Sequence, residues 1–112
     1  MTRNITQLEI DVIKFALNCE GNLERIHIPQ PGDQIVDEYD GYRRLIGAAS
    51  GSHRVGSAAV VTETDHVVID VFSDDNDKVC EISYVSMLGI DPTRFPLSMS
   101  EVSCDINYSP DS

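Results

Sequence analysis

The spacing of apolar residues changes once along this chain, from a helical period to a strand period. Leu8, Val12, Phe15, Ala16 and Cys19 recur at helical spacing and mark one apolar face. Thr6 and Glu9 form a T-x-x-E capping box, in which each side chain satisfies the backbone N–H of the other. Ile5 and Ile10 stand where a hydrophobic staple fixes the entry angle, and Gly21 supplies a stop. The pattern predicts one packing helix, which needs a sheet to cover.

Beyond Gly21 the period is two. "ERIHI" reads as a short strand ended by Pro29 and Pro31. "QIVDEY" and "YRRLIGAA" flank Asp40-Gly41, a two-residue hairpin signal. "GSHRVGS" reads as a loop whose last residues enter the next strand. "SAAVVTE" and "HVVIDVF" read as a strand pair joined near Thr64-Asp65. In "KVCEISYVSML", Cys80, Ile82 and Tyr84 alternate with Glu81 and Ser83, and the phase shift at Val85 and Met87 predicts a bulge. "EVSCDINY" alternates Val102, Cys104, Ile106 and Tyr108 with polar residues, which outweighs an S-x-x-E cap signal at Ser98 and Glu101. The expectation is an α+β fold: an N-terminal helix packed on a largely antiparallel β-sheet of about six or seven strands.

Length and composition fit that picture. The 112 residues suit a single domain spanning 1–112, and 41% hydrophobic with 24% charged residues excludes wholesale disorder. No apolar run is long enough for a membrane helix, and "MTRNITQLEI" lacks the apolar segment of a secretion signal. Cys19, Cys80 and Cys104 are odd in number and far apart, without a C-x-x-C pair. They are expected as free, mostly buried thiols in a reducing cytoplasm.

Charge adds what the pattern does not. The formal net charge is −11; residues 1–62 contribute −2 and residues 63–112 contribute −9. Such a field repels phosphate backbones and anionic lipid, so neither nucleic acid nor a membrane is expected as partner. It favours a cationic protein and speeds the encounter with one. The charge is densest in "DVFSDDNDKVCEI", residues 70–82, where five acids accompany one lysine. A hairpin tip at Asp74, Asp75, Asn76 and Asp77 explains the turn, because Asp and Asn tolerate its geometry. A turn does not require three carboxylates together, and that surplus points to a partner.

Other chemistry is weakly marked. Counted from Asp74, the EF-hand pattern fails at Lys78 and Val79, and no metal or other cofactor is expected. "GAASGSHRVGS" (47–57) has glycines that could cradle a phosphate but lacks the G-K-[ST] ending, so it reads as an inter-strand loop. His27, His53 and His66 have no zinc spacing. Sets such as His53, Ser57 and Asp70, or Cys80 and His66, arise by chance in so Ser- and Asp-rich a chain, and an enzyme is not expected. Arg43, Arg44 and Arg54 form a basic island, read either as pairing with Asp37, Glu38 or Asp40 or as a mixed-charge rim around a binding face. Tyr39 and Tyr42 flank the Asp40-Gly41 turn as half-buried strand residues or interface anchors.

A small, strongly acidic α+β chain of this kind resembles the immunity proteins of bacterial toxin systems, including those of contact-dependent growth inhibition. "LEIDVIKFALN", "VDEYDGYRRL" and "VVIDVFSDDNDKVCEISYV" are also similar to a group of bacterial domains with a helix, a D-G turn and a late acidic hairpin. The resemblance implies a one-to-one complex with a cognate basic toxin, often a nuclease domain, whose active site the acidic surface covers. The residues expected at that surface are Asp65, Asp70, Asp74, Asp75, Asp77 and Glu81, with Glu63 beside them. Asp70 should face away from Ile69 and Val71, and Glu81 away from Cys80 and Ile82; whether the two share a face depends on register. The alternative is a small-ligand or regulatory domain using the sheet face and the 47–57 loop.

Overall fold

The computed structural model describes residues 2–39, 41–61, 66–86 and 98–104. Helix α1 (Gln7–Cys19) packs on one antiparallel sheet of β1 (Thr2–Asn4), β2 (Gln34–Tyr39), β3 (Tyr42–Leu45), β4 (His53–Val61), β5 (His66–Ser73), β6 (Val79–Ser86) and β7 (Val102–Ser103). The seven strands lie in the order β1-β2-β3-β6-β5-β4-β7, and the class is the expected α+β.

The capping box begins the helix. Thr6 Oγ1 accepts from the Glu9 N–H at 3.1 Å, and Glu9 Oε1 accepts from the Thr6 N–H at 2.8 Å. Ile5 and Ile10 of the staple are both buried. At the other end Gly21 takes φ +73°, so its N–H reaches Asn18 O and the Asn22 N–H reaches Leu17 O. Val12, Ile13, Ala16 and Leu17 are fully buried, while Leu8 and Phe15 are partly so. The buried stripe therefore extends past the expected one to Ile13 and Leu17. Gly56 of β4 is the reason: a Cβ there would lie 2.7 Å from Ala16 O and 2.9 Å from Leu17 N. The helix backbone rests directly on that strand and presses its whole lower side into the sheet. Facing it, β5 contributes Val67, Ile69 and Val71, and β6 contributes Ile82 and Tyr84.

Glu9 does more than cap. Its carboxylate is 2% exposed and accepts from both terminal nitrogens of Arg3 at 2.8 Å and from Arg43 Nη1. Both arginines also pair with Asp37, at 2.8 and 3.2 Å. Arg43 further lies over the Tyr84 ring, 5.0 Å from its centre. This network ties the helix start to β1, β2, β3 and β6. Burial pushes the Glu9 carboxyl up, but the Arg3 hydrogen bonds, the Thr6 N–H and the Arg43 charge more than offset it, leaving about 2.

Several local expectations are corrected. "ERIHI" is not a strand: residues 23–26 turn, and only His27 makes an isolated parallel bridge to Lys78. The prolines stop that segment from extending into the sheet. β4 begins at His53, earlier than expected, because His53 and Arg54 pair with Ser73 and Phe72 at the end of β5, with a register shift between Arg54 and Gly56. The β6 irregularity falls between Phe72 and Ser73, opposite residues 79–81, rather than at Val85. Val85 follows simple alternation and points outward, 52% exposed. At the C-terminal side, the S-x-x-E signal is realised as a 3-10 turn, Met99–Glu101, and β7 spans only Val102–Ser103. Residues 105–108 of the expected strand, Met87, Asp40 of the hairpin turn and Thr64-Asp65 lie outside the described residues. β1 was not expected; three residues carry too little pattern.

The thiol expectation is also corrected. Cys19 and Cys104 form a disulfide, with Cα atoms 5.5 Å apart across 85 residues of sequence. Sequence distance hid the pair, because β7 returns beside β4 and the end of α1. Cys80 remains a free, buried thiol.

Candidate binding surface

The acidic stretch divides into one structural carboxylate and several exposed ones. Asp74, at the end of β5, is 2% exposed. Its Oδ1 accepts from the N–H groups of Asn76 (2.8 Å) and Lys78 (3.1 Å), and its Oδ2 from the Ala49 N–H (3.0 Å). Burial raises its pKa, but these three N–H bonds and the Lys78 charge hold it below the usual carboxylate range. Asp74 thus builds the turn it was expected to display.

Two flanking loops fasten the turn. The Asp75 N–H donates to Ser50 O at 2.8 Å, and Gly51, at φ +100°, lies so close to the Asp75 carboxylate that a Cβ would sit 2.2 Å from Oδ1. The glycine loop that could have cradled a phosphate holds the chain's own Asp74 and Asp75. On the other side the His27 N–H donates to Asp77 O at 2.8 Å, and the Val79 N–H to His27 O at 3.1 Å. Asp77 takes φ +60°, which Asp tolerates, and its carboxylate meets Arg25 at 3.0 Å. Asp75 meets His53 Nε2 at 2.7 Å. The Asp75 and Asp77 side chains keep 59% and 51% of their surface exposed.

The β5–β6 register fixes the remaining acids. Asp70 stands opposite Ser83, and Phe72 opposite Glu81. Asp70 and Glu81 therefore share the sheet face away from α1, in two cross-strand rows. One row runs Tyr42, Ser83, Asp70, Ser57, and the other Arg44, Glu81, Phe72, Arg54. Ser57 Oγ donates to Asp70 Oδ1, Arg54 Nη1 donates to Ser57 Oγ at 2.7 Å, and Ser52 Oγ donates to Glu81 Oε2 at 3.2 Å. Both acids keep carboxylate lone pairs to spare. The apolar members Phe72 and Val85 were not anticipated here: Phe72 has the phase opposite Ile69 and Val71, whereas the bulge expected at Val85 hid the outward phase of that residue.

Arg43 pairs with Asp37 and Glu9, Arg44 with Glu38 at 2.7 Å, and Arg54 with Glu20 at 2.6 Å, so the basic island is used internally. Ser57 and Asp70 do meet, but His53 bonds Asp75 instead of joining them. Among the described residues no group of three or more His, Cys, Asp or Glu is arranged to hold a metal ion. No helix among them is long and apolar enough to cross a membrane. Asp65 and Glu63 lie outside the described residues.

One groove of about 350 Å³ runs between Gln7, Ile10 and Lys14 of α1 and residues 28–31. No protein-family model, curated protein or solved structure matches the chain.

Proposed function

We propose that the chain is an inhibitor of the immunity type, which binds a cationic toxin domain, such as a nuclease, and covers its active site. The observation that supports this reading most is the fate of the positive charges. Arg3, Arg25, Arg43, Arg44 and Arg54 are each engaged by a carboxylate of this chain, and the net charge is still −11. The surplus is anionic, and Asp70, Glu81 and Asp75 carry part of it around one sheet face and its adjoining turn.

A cleft that holds phosphates presents Arg and Lys side chains at fixed positions. Carboxylates on a rigid sheet offer those groups charge-assisted hydrogen bonds, while Phe72, Tyr42 and Val85 supply apolar contact between them. Long-range attraction raises the association rate, and close packing lengthens the lifetime of the complex. A standard interface of about 1,600 Å² suffices. The reading requires no catalytic step by this chain and places its action in the cytoplasm, where a nuclease toxin meets its substrate.

Co-expression tests it. A cationic nuclease toxin domain is induced in cells with and without the chain. Growth rescued by the chain supports the proposal; arrest despite soluble chain rejects that pairing.

A second reading, a small-ligand-binding domain, is favoured by the groove beside α1. Its lining of Ile10, Ile28, Pro29 and Pro31 together with Lys14 suits a small anion with an apolar body. Thermal stabilisation by such compounds, lost in Lys14→Ala, distinguishes it from the first.

A further inference from the structure

Three cysteines sit in two contrasting environments. Cys104 is exposed and Cys19 half-buried, and their disulfide links the end of α1 to the end of β7. Cys80 is 2% exposed, lies against the carbonyl oxygens of Phe72 and Gly51, and has its thiol pushed up to about 11 by burial and by the charges of Glu81 and Asp74. A thiol of that kind is inert in exchange, because the thiolate is the reactive form.

The strand beside the disulfide has a short ladder to the rest of the sheet. Among the described residues β7 pairs with β4 at two positions, Ser103 with Ala59 and Val102 with Val60. Besides these pairs, Val102 enters the core at its margin, 9% exposed, and Met99 packs partly against it. The rest of the core, from Ile13 and Leu17 to Ile69 and Ile82, is built without this segment.

We propose that Cys19–Cys104 is a reversible thiol–disulfide exchange site, and that its state decides whether the 98–104 segment stays docked on β4 and α1. The co-reactant is a dithiol. Its thiolate attacks the exposed Cys104 Sγ and forms a mixed disulfide, while Cys19 Sγ leaves and takes up a proton. The second dithiol sulfur then displaces Cys104, which is released as a thiol. Two electrons and two protons pass to the protein, and the dithiol becomes a disulfide. Opening frees β7 and uncovers the β4 backbone at Ala59 and Val60, an edge able to accept another strand. The oxidised chain is closed and the chain in a reducing compartment is open. The inference is independent of the partner's identity.

The test uses the full chain purified without reductant. Alkylation under denaturing conditions should find one free thiol, on Cys80; after dithiothreitol on the native protein, native alkylation should label Cys19 and Cys104 and spare Cys80. Hydrogen exchange at Val102 and Ser103 should then quicken about tenfold or more, while Ile69 to Val71 stay protected. The Cys19→Ser/Cys104→Ser variant should reproduce the open pattern without reductant. Three free thiols in the purified protein, a disulfide that resists dithiothreitol until unfolding, or unchanged exchange at 102–103 would each overturn the proposal. Global loss of protection in reduced wild type would also overturn it, by making the bond a requirement of the whole fold.

Discussion

Asp70 and Glu81 stand diagonally across the β5–β6 ladder on the same outward face, since Asp70 opposes Ser83 and Glu81 opposes Phe72. Neither lies against α1. Asp70→Asn/Glu81→Gln removes two charges at nearly constant shape. Urea unfolding should change by no more than about 1 kcal/mol, as for surface positions with single hydrogen bonds. A loss of several kcal/mol would make the pair structural and unsuited to probe binding.

Asp74 should behave in the opposite way. Its carboxylate serves the N–H groups of Ala49, Asn76 and Lys78, and Asp74→Ala leaves all three without that acceptor. We expect a loss of about 2 kcal/mol or more in urea unfolding, with faster exchange at Ala49 and Lys78. Asp75→Asn and Asp77→Asn, which alter exposed side chains, should each cost less than about 1 kcal/mol. Equal effects from all three would contradict the division of the cluster.

The Glu9 network predicts an acid dependence. The folded carboxyl titrates at about 2 against an ordinary 4.5. Its folded pKa is depressed, so its contribution is complete above the unfolded value and is lost as pH falls from about 4.5 toward 2. Unfolding free energy followed from pH 7 down to about pH 2.5 should fall in that window. Glu9→Gln should be less stable at pH 7 and show a shallower fall. A Gln variant with the wild-type pH profile would remove Glu9 as its source.

Gly56 is where the helix backbone touches β4. Gly56→Ala introduces a Cβ 2.7 Å from Ala16 O, a backbone atom that cannot step aside without moving α1. We expect a cost of about 1–3 kcal/mol by thermal or urea unfolding. A neutral result would mean that the helix does not sit on β4 as described.

How far the sequence was legible follows from the range of each signal. The capping box from Thr6 to Glu9 and the alternation from Val67 to Val71 are local patterns, and both were read correctly. The cysteine pair and the two arginines on Glu9 join residues distant in sequence, which no local pattern encodes. Among the site residues, the outward phase of Asp70 and Glu81 was visible, but their shared face required the register. Asp74 misled for a physical reason: an Asp that displays charge and one that caps a turn look the same until the neighbouring loop is placed.

Binding of a cationic protein by this acidic face, as proposed above, is read out by association kinetics. The purified chain and a cationic toxin domain against which it protects cells are mixed in stopped flow at low and at high salt, with wild type and Asp70→Asn/Glu81→Gln. We expect one-to-one binding whose rate falls steeply with salt, and a variant about tenfold slower at low salt. Binding indifferent to both salt and the substitutions, or no binding by a folded chain to an active toxin, would contradict it.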